Sequence, residues 1–214
     1  MKGKKIFYIA LFFSLIVILY GCNGRNSRGY LEDRIGNQIS RVYPTKNLED
    51  LFEQFPNGFT IYQSYQLSDK FIDIVLDGVE KGKPIEGTIK VINRDSGAEE
   101  KKIAVTYDKG KFSYDNEEEA RKLWPKEKFL FQEMTLNKEI LSKFKLKDTY
   151  YNRNSGGFDL EYTVKNEQIN QFLDLDNQQQ VTLGFHGSNA NRGYYYTLTV
   201  ELDRNFKFRE RISE

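Results

Sequence analysis

One histidine and one cysteine are all this chain of 214 residues has of the side chains that most often bind metals or act as nucleophiles. A histidine-rich metal site is therefore excluded. A thiolate zinc site needs several cysteines and is excluded with it. A Ser-His-acid relay would have to use His186, and Ser188 is too close in sequence to suggest an obvious partner. There is no Gly-x-Ser-x-Gly elbow and no phosphate-cradling glycine loop. Charge of one sign is also missing: 32 Lys and Arg stand against 31 Asp and Glu. So balanced a chain is a poor candidate for nucleic-acid binding. Neither an internal repeat nor a low-complexity tract is visible, and no linker divides the chain.

The single cysteine has an informative position. Lys2, Lys4 and Lys5 give a charged start. Ile6 to Tyr20 is an apolar stretch of 15 residues broken only by Ser14. As a helix it would measure about 22 Å, enough for export and short of the ~20 residues of a stable span. Leu19-Tyr20-Gly21-Cys22 follows. This is the layout of a signal peptide ending in a lipidation box. Gly21 supplies the small residue before the cleavage point, and Leu19 the branched residue three before the cysteine. Tyr20 stands where a small or β-branched residue is commoner. The expectation is a signal peptide over 1–21, with diacylglycerol on the Cys22 thiol and a further acyl chain on its new amine. The alternative is an uncleaved N-terminal anchor; both place the rest of the chain outside the cytoplasm.

The mature chain would have 214 − 21 = 193 residues and a formal charge of 29 − 31 = −2. That length supports one domain with a real core. With Cys22 acylated no disulfide can form, so the core alone must hold the fold. Aromatics make up 14% of the chain, with 16 Phe and 14 Tyr, so core material is plentiful. Asn23 to Gly29 is polar and reads as a flexible tether, and residues 22–42 as a lipidated N-terminus and tether before a domain at 43–214.

Hydrophobic period then predicts the elements. Leu48, Leu51, Phe52 and Phe55 make one helical stripe, capped by Asn47 and ended by Pro56. Alternation marks strands at Ile72–Leu76, Ile85–Val91 and Ile103–Tyr107, with Asp108-Lys109-Gly110 turning into Phe112. Asn116 caps a helix over Glu117–Trp124, with Glu117/Arg121 and Glu118/Lys122 as i,i+4 pairs. A second helix is predicted over Leu136–Phe144. Phe158–Val164 alternates as a strand, Asn166–Leu173 reads as a short helix, and Val181–Phe185 as another strand. A Gly/Ser/Asn loop over Gly187–Gly193 leads into a strand over Tyr194–Leu202, and Asp203-Arg204-Asn205 turns into Phe206 and Phe208. The predicted class is α+β: a mainly antiparallel β-sheet with a few short helices packed on one face, preceded by the signal peptide and tether.

The stretch Tyr43-Pro44-Thr45-Lys46-Asn47-Leu48-Glu49-Asp50-Leu51-Phe52 resembles the staphylococcal tandem-type lipoproteins, which carry a nearly identical stretch soon after the lipidated cysteine. Phe59-Thr60-Ile61-Tyr62 resembles the family's aromatic-Thr-Ile-Tyr strand, with Phe for the usual Trp. Phe158-Asp159-Leu160-Glu161-Tyr162 with the following helix resembles its later strand-helix unit. The resemblance runs from about Tyr43 to the C-terminus. The chain departs from the family between Phe55 and Gly58, where members usually carry a longer Gly- and charge-rich insertion. What the resemblance implies is a membrane-anchored surface lipoprotein from a duplicated gene set, associated with host interaction and stimulation of innate lipopeptide receptors. It carries no catalytic residues over.

Few single positions stand out. His186 reads as a solvent-facing loop residue. Asp174, Asp176 and Asn177 lack the turn glycine and bidentate Glu of a calcium loop and read as a polar turn. In Tyr194-Tyr195-Tyr196, alternation sends Tyr194 and Tyr196 inward and Tyr195 outward with Thr197, Thr199 and Glu201. Tyr195 and Thr197 are the candidate partner contacts, against an ordinary wet sheet face. Arg204 to Arg211 reads as a last strand whose basic residues guard a sheet edge. The expectation is a non-enzymatic, monomeric protein with no cofactor and no metal. Its partners would be the membrane, through its lipid, and a host protein or lipopeptide receptor. The alternatives are a solute- or glycan-binding lipoprotein and a hydrolase using paired carboxylates.

Overall fold

Strand alternation decides the architecture, because a strand with one apolar face must bury it. A computed structural model describes residues 24–188, 193–203 and 206–214. Leu19, Tyr20, Gly21 and Cys22 lie outside these, as do residues 189–192 of the Gly187–Gly193 loop and Arg204 and Asn205 of the last turn. Among the described residues ten strands form one antiparallel sheet. They are β1 (Phe59–Gln66), β2 (Lys70–Gly78), β3 (Ile85–Asn93), β4 (Glu99–Asp108), β5 (Lys111–Tyr114), β6 (Lys145–Tyr151), β7 (Gly157–Val164), β8 (Val181–Ser188), β9 (Tyr195–Glu201) and β10 (Lys207–Ser213). Their spatial order is β5-β4-β3-β2-β1-β10-β9-β8-β7-β6. Two meanders thus meet at the centre, where β1 pairs with β10 with Ile61 opposite Ile212.

One face of this sheet is dry. Ile61, Ile74, Leu76, Ile89, Ile103, Leu160, Tyr162, Leu183, Leu198, Val200 and Phe208 all sit in one core cluster. Burying each such side chain contributes ~1.5–3 kcal/mol. The helices cover that face: α1 (Arg28–Ile39), α2 (Glu117–Leu123), α3 (Leu130–Glu133), α4 (Lys138–Lys143) and α5 (Glu167–Phe172). Leu31, Ile35, Ala120, Leu130, Phe131, Leu141, Ile169 and Phe172 are their core residues. The α+β architecture read from the sequence is thus the observed one. Asn116, Asn137 and Asn166 cap α2, α4 and α5, each side chain accepting from the backbone N–H three residues on.

Several predicted elements need correction. Residues 28–42 are not a tether. Ser27 caps α1, and Leu31, Ile35, Ile39 and Val42 are buried. Arg28 fixes this helix by donating to the carbonyls of Leu141, Ser142 and Phe144 at 3.3, 2.6 and 3.0 Å, and to buried Glu32 at 2.7 Å. Gly36 lets α1 approach α4 closely, since a Cβ there would lie 2.5 Å from the Lys138 backbone nitrogen. The folded domain therefore begins well before Tyr43. Leu48–Glu53 is a 3-10 helix rather than an α-helix. The Asn47 amide donates to Asp50 at 3.2 Å instead of capping the backbone, while Leu48, Leu51, Phe52 and Phe55 are all buried as the stripe required. The helix predicted from Leu136 starts at Lys138, because Asn137 accepts from Ile140 N–H at 2.9 Å. Strand β6 and helix α3 carry no prediction.

Candidate functional site

The face opposite the helices is polar, and it brings together side chains far apart in sequence. Strand β10 lies between β1 and β9, with Arg211 opposite Tyr62 on one side and Thr197 on the other. The Arg211 guanidinium lies 5.2 Å from the centre of the Tyr62 ring and 5.0 Å from that of Tyr195. It also donates to the Tyr195 hydroxyl at 2.8 Å. Two aromatic faces and a hydroxyl thus hold one cation in place on an open sheet. Tyr195 is 37% exposed, one of the few large exposed aromatics among the described residues. Both candidate contacts, Tyr195 and Thr197, lie on this face, and Thr197 is half-buried between Arg211 and His186.

His186 is not a loop residue. It belongs to β8, opposite Asp159 of β7 and Thr197 of β9. Its Nδ1 meets Asp159 Oδ1 at 2.5 Å and its Nε2 meets Thr199 Oγ1 at 3.1 Å. The reason is Gly184. The imidazole lies over that residue, where a Cβ would come 2.6 Å from Thr199 Oγ1 and 3.2 Å from His186 Nε2. Without Gly184 the ring could not reach across to Thr199. An alternation of glycine and histidine in a strand was the available signal. Acid, imidazole and hydroxyl thus stand in the order of a nucleophile relay. Two features oppose catalysis by them. Thr199, expected outward with Tyr195, is only 4% exposed beneath the ring. The β8 and β9 backbones around it are paired in the ladder, so their N–H groups are committed and form no oxyanion hole. The row fixes the His186 ring; it does not activate an accessible nucleophile.

A second cluster lies on the dry face and escapes a reading by local motifs. Glu210, in the middle of β10, is fully buried. Its Oε1 accepts from Tyr43 Oη at 2.6 Å and Phe131 N–H at 2.9 Å. Its Oε2 accepts from Leu130 N–H at 2.6 Å and the Gln63 amide at 3.0 Å. The Gln63 Oε1 accepts in turn from the Trp124 indole at 3.0 Å. Burial pushes the Glu210 carboxyl up to about 7, outweighing the four donors that favour its charged form. Tyr43 is pushed well above the usual tyrosine range, first by burial and then by the Glu210 charge. With all its acceptor positions met from within the protein, Glu210 joins β10, β1 and the start of α3 and offers nothing to a substrate.

Among the described residues no three His, Cys, Asp or Glu side chains are grouped to hold a metal ion. Asp174 instead pairs with Lys126 at 2.8 Å, and Asp176 accepts from Gln178 N–H at 2.8 Å as a turn residue. A cleft of about 210 Å³ lies on the helix side, against Tyr65, Trp124, Phe172 and Phe206, away from Tyr195. No protein-family model matches the chain, and no curated protein matches it.

Proposed function

We propose that this protein is an exported, lipid-anchored surface lipoprotein without enzymatic activity, which presents its polar sheet face to a partner at the cell surface. The observation that carries the reading is the apolar leader ending in Leu19-Tyr20-Gly21-Cys22, the chain's only cysteine. The resemblance of residues 43–52 to the staphylococcal tandem-type lipoproteins supports it, and with it a role in host interaction and in stimulating lipopeptide receptors. The open face around Arg211, Tyr62 and Tyr195 supports recognition, and the ladder-bound surroundings of His186 and Thr199 speak against hydrolysis. The test is the intact mass of protein recovered from the membrane of its native host. Residues 22–214 plus two or three acyl chains is the expected result, and Cys22→Ala should yield a protein whose mass carries no acyl chain. A mass of 1–214 without lipid would refute the anchor.

The bracketed guanidinium favours a second reading, a binder of acidic solutes or glycans. Arg211→Ala would then abolish retention on an acidic glycan without loss of folding; unchanged retention would count against it.

A further inference from the structure

The folded domain begins almost at the lipid attachment point. Only 26 − 22 = 4 residue steps separate Cys22 from Asn26. Even fully extended they span about 14 Å. Asn26 is not loose: its carbonyl accepts from Thr149 Oγ1 at 3.0 Å. Thr149 lies on β6, which forms one edge of the sheet. An acyl chain on Cys22 therefore brings this edge, and no other, to the headgroups.

The residues along that edge suit such a contact. Arg25, Lys145 and Lys147 are exposed. Lys147, 47% exposed, reaches over β7 to Glu161 at 3.2 Å and Thr182 of β8 at 3.2 Å and would swing outward to meet a headgroup, and Asp148 adds one negative charge. Asp159 stands opposite Tyr150, and Arg153 is exposed at the β6–β7 turn. The patch of four cations and three carboxylates is thus mildly basic, on a mature chain whose net charge is negative. Tyr150 is 52% exposed beside them. Tyrosine with flanking lysine is the pairing that favours the membrane interface. The β6 ladder is also bulged between Leu146 and Asp148, which discourages another strand from adding there.

We infer that the β6 edge is a bilayer-contact surface. Arg25, Lys145 and Lys147 would meet anionic lipid headgroups, Tyr150 would sit at the interface, and the sheet would stand edge-on. The ten strands, at ~4.8 Å spacing, then carry the β5 edge to about 40 Å from the membrane. The Arg211 face would look sideways, open to a partner. This rests on acylation of Cys22.

The test uses the full acylated chain. Acylation blocks its one native thiol, so an introduced cysteine takes a fluorophore alone. Asp148→Cys on β6 and Lys109→Cys at the β4–β5 turn are labelled and reconstituted in vesicles carrying nitroxide-headgroup lipid. The label at 148 should be quenched and the label at 109 should not. In phosphatidylglycerol vesicles quenching at 148 should exceed that in phosphatidylcholine by about two-fold or more. Adding Lys145→Glu and Lys147→Glu should remove that difference. Equal quenching at both sites, or stronger quenching at 109, overturns the orientation. No dependence on anionic lipid overturns the charge contact. The intact mass separates the two failures. Acyl chains present with 148 unquenched sinks the orientation alone, while acyl chains absent sinks the anchor and the orientation with it.

Discussion

Replacing Glu210 with glutamine should remove a pH dependence that the wild-type fold carries. The Glu210 carboxyl sits at about 7 in the folded protein against an ordinary 4.5. Between these values the folded state holds a proton that the unfolded state has released. Stability must then fall as pH rises through this window, and stay flat with respect to this group below 4.5 and above about 7. At ~1.4 kcal/mol per pH unit, the loss is about 3 kcal/mol. In Glu210→Gln that term is gone. The glutamine brings its own defect, because both carboxylate oxygens face donors: Tyr43 and Phe131 at one, Gln63 and Leu130 at the other. An amide nitrogen at either place meets N–H or O–H hydrogens, whereas a protonated carboxyl can still accept there. The variant should be less stable by ~1–3 kcal/mol at pH 5. That gap should close, or reverse, by pH 8. Trp124, hydrogen-bonded to Gln63 beside Glu210, is the natural probe, since it is the chain's only tryptophan. Urea unfolding followed by its fluorescence, for both proteins at each pH from 5 to 8, measures the difference and cancels other titrations. Parallel curves, or a gap that widens with pH, would refute the reasoning.

Arg28→Met should leave Glu32 buried with Tyr162 as its remaining partner and remove the guanidinium from three carbonyls, of which Leu141 keeps the Phe144 N–H, a loss of ~3–5 kcal/mol; hydrogen exchange should show residues 28–39 opening first. Gly36→Ala places a methyl 2.5 Å from Lys138 N and should cost ~1–3 kcal/mol in a denaturant series, with α1 and α4 as the elements that separate. Gly184→Ala should push the His186 ring off Thr199, seen as a changed imidazole NMR signal, while the overall fold persists. Arg211→Ala, on the wet face, should change stability by no more than ~1 kcal/mol by the same unfolding assay; a larger loss would make this cluster a structural element rather than a contact surface.

What the sequence made legible follows from how far each signal reaches along the chain. Alternation in Ile72–Leu76, Ile103–Tyr107 and Phe158–Val164 is local, and those strands stand where it put them. Caps are local too, and Asn116 holds α2 as expected. Helix α1 was signalled by Leu31, Ile35 and Ile39 at four-residue spacing after Ser27. Gly29, Gly36 and Asn37 diluted that pattern, and the partners that hold the helix, the carbonyls of residues 141–144, are more than a hundred residues away. Strand β6 reads as lysines and tyrosines because an edge strand buries little.

Glu210 marks the boundary between the two kinds of information. In β10 Phe208 and Ile212 face the core, and the two-residue period puts Glu210 between them on the same dry face. A buried carboxylate was therefore predictable from parity alone, and physics demands donors for it. Which donors could not be read locally, since Tyr43, Gln63, Leu130 and Phe131 come from three separate stretches of chain. The same holds on the wet face. Parity aims Tyr195 and Thr197 outward and says nothing of Arg211 beside them, because strand order sets that neighbour and strand order is a property of the whole chain. A charged residue that breaks an apolar register is thus the local trace of a distant constellation, and in this protein it marks the centre of the fold.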